Sequence, residues 1–99
     1  VDAVFVGPND LMASMRAADG SPPDKELFEA TLTRIREACE RQGVAAGLHT
    51  FSIESARKRV AEGWKFVALN SELKFMLQGA ADVARALHPE RLASELAKY

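Results

Sequence analysis

A single cysteine, Cys39, leaves this chain of 99 residues without an internal disulfide, and no Cys/His pair has the spacing of a zinc site. Both absences fit a reducing compartment, so a cytoplasmic location is the expectation. No apolar run approaches the roughly 18 residues that a membrane span needs. The opening Val1-Asp2-Ala3-Val4-Phe5-Val6 has neither the charged leader nor the cleavage site of a signal peptide. Neither sign of charge is in excess: 13 Lys and Arg against 14 Asp and Glu give a net charge of −1. That balance offers no electrostatic footprint for nucleic acid or an anionic membrane. The run Arg57-Lys58-Arg59 is too short to alter this and is expected to be a solvated helix face. What is present is a globular composition, 47% hydrophobic and 27% charged, of a length that suits one domain and not two.

Apolar patterning divides the chain into alternating elements. Val1 to Val6 is β-branched and apolar on both faces, as a buried parallel strand would be, and Gly7-Pro8-Asn9-Asp10 ends it. Leu11 to Ala18 has room for a short helical turn before the loop Asp19-Gly20-Ser21-Pro22-Pro23. A long helix is predicted from about Asp24, a suitable N-cap, to Gln42. Phe28, Leu32, Ile35 and Cys39 recur along it as one apolar stripe, which makes Cys39 a core residue and not a nucleophile. Gly43 supplies a left-handed stop. Val44 to Leu48 is the next strand, closing on His49-Thr50, and Ser52 can cap a helix to about Glu62 that Gly63 stops. Lys65 to Leu69 is a third strand, with Trp64 and Phe66 as packing residues. Ser71 can cap a last long helix with Met76, Gly79, Val83 and Leu87 on one face. Pro89 interrupts it, and a short helix to Lys98 follows with Leu92 and Leu96 inward.

Strand and helix alternating three times, with helix-to-strand links of two or three residues, predict βαβ units and a parallel sheet. Three such strands leave two sheet edges with unpaired backbone groups and do not close a barrel or a doubly wound sheet. A chain that also opens on a buried strand therefore reads as a piece of a larger α/β protein.

The run Val1-Asp2-Ala3-Val4-Phe5-Val6-Gly7-Pro8-Asn9-Asp10-Leu11 closely resembles the VDGVFIGPADL signature of the HpcH/HpaI aldolases. Gly43 to Thr50 resembles that family's GKAAGILT strand, and Gly63 to Leu69 its GFxFVAVG strand, so the likeness covers nearly the whole chain up to about Leu87. The resemblance implies a (β/α)8 barrel of which these are strands six to eight. Barrel enzymes place their chemistry at the C-terminal ends of the strands, where the loops vary without disturbing the core. It further implies a lyase that cleaves or forms 4-hydroxy-2-oxo acids from pyruvate and an aldehyde. A divalent cation (magnesium, manganese or cobalt) there chelates pyruvate and stabilises its enolate. On this reading Asp10 is the aspartate ligand of the metal, and Gly7, Pro8, Asn9 and Asp10 form the turn whose amides receive the substrate carboxylate. Gly7 lets the backbone approach, and Pro8 stiffens the turn. Without the motif, Asp10 would read as an ordinary turn or cap residue.

Other positions keep two readings. His49 is either a histidine packed at a strand–helix boundary, the default, or a substrate contact at the active-site mouth. Ser71 is by default a helix cap, with ligand contact as the alternative, and Asn70 stands beside it. The family's second metal carboxylate, its catalytic histidine and its arginine come from earlier strands, so no catalytic residue is expected within these 99 residues and the chain alone is expected to be inactive. Family members commonly assemble into hexamers, and homo-oligomerisation is the corresponding expectation. Two alternatives stand beside the aldolase: a citrate-lyase-type or malyl-thioester lyase relative, and a non-catalytic βα module that only oligomerises.

Overall fold

Short apolar runs alternating with amphipathic segments produce a parallel sheet with helices as connections. The computed structural model describes residues 1–88, and the helix predicted after Pro89, with Leu92 and Leu96, lies outside the described residues. The order is β1 (Ala3–Val6), α1 (Pro8–Ser14), α2 (Lys25–Arg41), β2 (Ala45–Thr50), α3 (Ile53–Glu62), β3 (Phe66–Leu69) and α4 (Glu72–Leu87). The three strands pair in parallel in the order β1-β2-β3, with Val6 opposite Leu48 and Leu48 opposite Val67. Contacts divide the chain into two units, residues 1–69 and the part from Asn70 onward.

In the first unit the helix signals behave as their chemistry requires. The Asp24 carboxylate accepts from the Leu27 amide at 2.8 Å, and the Ser52 hydroxyl accepts from the Ser55 amide at 3.1 Å, each satisfying an orphan N–H of its helix. At the end of α2, Gly43 takes φ +66, which lets the Val44 amide reach back to the Cys39 carbonyl at 2.9 Å and the Gly43 amide to the Glu40 carbonyl at 3.2 Å. The apolar stripe of α2 packs as expected. Leu32 and Cys39 join Val6, Ala46, Leu48 and Trp64 in the core, and Phe28 and Ile35 pack against it. Leu32 and Leu48 are each only 1% exposed, and burial on that scale contributes about 2 kcal/mol per side chain.

Three expectations need correction. The short helix begins at Pro8 and not at Leu11, because proline's fixed φ and missing N–H suit the first helical position. It stops at Ser14 instead of Ala18, because Ala17 to Ser21 close a turn of their own through an Ala17 amide to Ser21 carbonyl bond at 3.0 Å. Strand β1 is not buried on both faces: it pairs on one side only, and Val4 and Phe5 are 38% and 45% exposed. Arg59 is not solvated either. It is 8% exposed and donates from both terminal nitrogens to the Glu29 carboxylate of α2 at 2.8 Å, so it joins α3 to α2. Arg57 and Lys58 are exposed as expected.

Alternation along the strands gives the sheet two faces. Val6, Ala46, Leu48, Thr50 and Val67 lie on the face that the helices cover. Phe5, Gly47 and Phe66 form one row of the other face, and His49 pairs with Ala68 in the next. The Phe5 and Phe66 rings meet with centroids 5.2 Å apart, although β2 lies between their strands. Gly47 makes this possible: a Cβ there would come within 2.9 Å of the Phe5 ring and of the Phe66 carbonyl.

In the second unit Ser71 caps α4 by accepting from the Lys74 amide at 3.2 Å, as its default reading held. Asn70, just before it, has φ +53, the left-handed conformation that asparagine tolerates better than most residues. Met76, Val83 and Leu87 on the expected apolar face of α4 are exposed.

Candidate functional site

The turn after β1 is built by the sequence Gly7-Pro8-Asn9-Asp10. Gly7 is extended, at φ −88 and ψ 113, and caps α1 with its carbonyl, which accepts from the Leu11 amide at 2.9 Å. Pro8 has no N–H to offer, so the amides of Asn9 and Asp10 are the free donors of the first helical turn. Asp10 stands in that first turn, and its carboxylate lies against Gly7: a Cβ on Gly7 would meet Asp10 Oδ2 at 2.9 Å. The missing side chain of Gly7 thus leaves the space in which the Asp10 carboxylate rests. Gly7 and Pro8 are half-buried, while Asn9 and Asp10 are exposed. The arrangement offers backbone donors for an anion and one carboxylate for a cation within three residues.

Register places His49 beside this turn. Val6, the last residue of β1, is opposite Leu48, so Gly7 and His49 are the residues that follow this pair at the C-terminal end of the strands. The His49 ring stacks on Phe51 with centroids 4.8 Å apart and planes 20° from parallel. Its Nε2 is buried and has no hydrogen-bond partner. A cleft of about 260 Å³ is lined by Pro8, Asn9, Met12 and His49 and, on the helix-covered side of the sheet, by Phe28, Leu32, Leu48, Thr50 and Arg59. Thr50, 2% exposed, is occupied structurally, donating its hydroxyl to the Ala68 carbonyl at 2.8 Å.

Arg59 also lines the cleft, and charge patterning did not single it out. Its hydrogen bond holds the Glu29 carboxyl below its ordinary range, and the same bond raises the guanidinium further, so both stay charged. Glu62 adds a contact at 3.2 Å and Lys58 approaches Glu29 at 3.7 Å. The only sequence signal was the i, i+3 spacing of Arg59 and Glu62. Its partner Glu29 is 30 residues away, which no local pattern shows. Cys39 and Trp64 are core residues, as read from their patterns.

A divalent cation with hard character needs several oxygen ligands. Among the described residues no group of three His, Cys, Asp or Glu side chains could hold a metal ion. Asp10 alone does not make such a site, so the residues present do not fit a complete metal centre.

The turn, its aspartate and the parallel βα units can now be set beside known proteins. A family model described as HpcH/HpaI aldolase/citrate lyase matches residues 1–79, which include all three strands, the Gly7–Asp10 turn and the first half of α4. The chain belongs to this family. Among HpcH/HpaI relatives, a hydroxypyruvate/pyruvate aldolase of Paraburkholderia phytofirmans is 35% identical over 79 residues, covering 79% of this chain and 29% of that protein. A 2-keto-3-deoxy-L-rhamnonate aldolase of Salmonella typhimurium is 36% identical over 101 residues, covering 100% of this chain and 32% of the relative. A protein of the same name from Salmonella paratyphi A is 41% identical over 71 residues. The chain thus spans about a third of the length of the curated relatives it matches. No solved structure matches it. Its family is one of carbon–carbon lyases, and its three parallel βα units are part of an aldolase barrel.

Proposed function

We propose that residues 1–99 are a partial barrel domain, supplying strands six to eight of a divalent-metal-dependent aldolase that cleaves or forms 4-hydroxy-2-oxo acids from pyruvate and an aldehyde. Asp10 is one carboxylate ligand of the cation (magnesium, manganese or cobalt), whose other ligands come from outside this chain. The Gly7–Asp10 turn, with Pro8 and Asn9, receives the substrate carboxylate through its backbone amides. The reading rests above all on the packing of the Asp10 carboxylate against Gly7, where a side chain would collide at 2.9 Å. That contact is consistent with an exposed carboxylate just beyond the C-terminal end of a parallel strand, where barrel enzymes carry their chemistry.

The aldolase names of the relatives favour this branch over a citrate-lyase-type thioester lyase. With one metal carboxylate and no acid–base pair at the turn, the chain has no catalytic residue of its own and is inactive alone. Homo-oligomerisation is part of the same reading through family membership, while the unpaired sheet edges are those that further barrel strands would pair. No helix among the described residues is long and apolar enough to cross a membrane, and we place the protein in the cytoplasm.

Exchange of the matching segment of the Paraburkholderia phytofirmans enzyme for residues 1–79 tests the assignment. The expected chimera catalyses pyruvate-dependent aldol cleavage, and Asp10→Ala lowers its kcat/KM by roughly a hundredfold or more. A folded chimera whose Asp10→Ala variant keeps full activity overturns the ligand role. Measurable turnover by the purified 99-residue chain overturns the claim of inactivity.

A further inference from the structure

We draw no further inference here: the strongest candidate, the open face of the sheet on which the Phe5 and Phe66 rings meet beside Gly47, is the face that further barrel strands would enclose in the function already proposed, and nothing in the structure shows another partner covering it.

Discussion

Replacing Arg59 by methionine isolates what one buried guanidinium contributes to this fold. Methionine keeps most of the aliphatic stem that packs between α2 and α3 and removes only the charged fork. The fork makes two bonds of 2.8 Å to Glu29 and two, of 3.2 and 3.3 Å, to Glu62, and the arginine side chain is 9% exposed. Removing one partner of a fully buried pair costs about 3–5 kcal/mol, and of an exposed pair about 0–1 kcal/mol. Here Glu29 and Glu62 are 31% and 32% exposed, so water reaches both carboxylates once the fork is gone. The loss should therefore fall between those limits, at about 2 kcal/mol. In a domain of this size that lowers Tm by roughly 8–16 °C, readable from Trp64 fluorescence or circular dichroism. The pH dependence checks the cause. Glu29 has its pKa lowered in the folded state by the Arg59 hydrogen bond. Its contribution is fully present above the unfolded glutamate pKa of about 4.3 and is lost as pH falls through the lower folded value. The gap between wild type and Arg59→Met should thus be widest near neutral pH and narrow in acid. A loss below about 0.5 kcal/mol at neutral pH, or a gap that does not change between about pH 7 and pH 3, refutes the reasoning.

Two glycines should respond differently to alanine, and urea unfolding would show it. Gly47→Ala forces a Cβ within 3.0 Å of the backbone carbonyls of Val4 and Phe66, which cannot move without parting the strands, so a loss of about 2–3 kcal/mol is expected. Gly7→Ala meets only the end of the exposed Asp10 side chain, so it should cost under about 1 kcal/mol while displacing the carboxylate; equal losses at the two sites would contradict this. Asp24→Ala removes the acceptor for the Leu27 amide and should cost about 1 kcal/mol, and an unchanged midpoint would show that the cap contributes nothing. Asp10→Ala, at an exposed position, should leave stability within about 0.5 kcal/mol of wild type, whatever its effect on a ligand.

The elements were legible wherever a local signal sufficed. Asp24, Ser52 and Ser71 cap the helices they were expected to cap, and the Leu32–Cys39 stripe lies in the core. What stayed hidden is non-local. Strand β2 runs on to Thr50 because His49 and Thr50 find partners in β3, at Ala68 and Leu69, and strand propensity alone does not show partners. The burial of Arg59 depends on Glu29 from another helix, so the basic run read as solvent-facing. Strand β1 has the composition of an interior strand but forms an edge here, because composition records the surroundings a strand suits and not those it has. The turn was legible as a motif, whereas the fit of the Asp10 carboxylate into the space left by Gly7 needed coordinates. The quoted signature GFxFVAVG ends in glycine where this chain has Asn70, and φ +53 at that residue supplies the physical reason for the glycine.

The contact between Phe5 and Phe66 joins residues far apart in the chain across a strand that contributes no side chain between them. The two rings can take up this arrangement only after β2 has been laid down with β1 on one side and β3 on the other. Closing so long a loop is entropically expensive and comes late, after the local helices and the first strand pair have formed. The ring pair is thus a built-in clock for completion of the sheet. In a refolding experiment, ring-to-ring magnetisation transfer between these two phenylalanines would mark the step at which the three strands become one sheet.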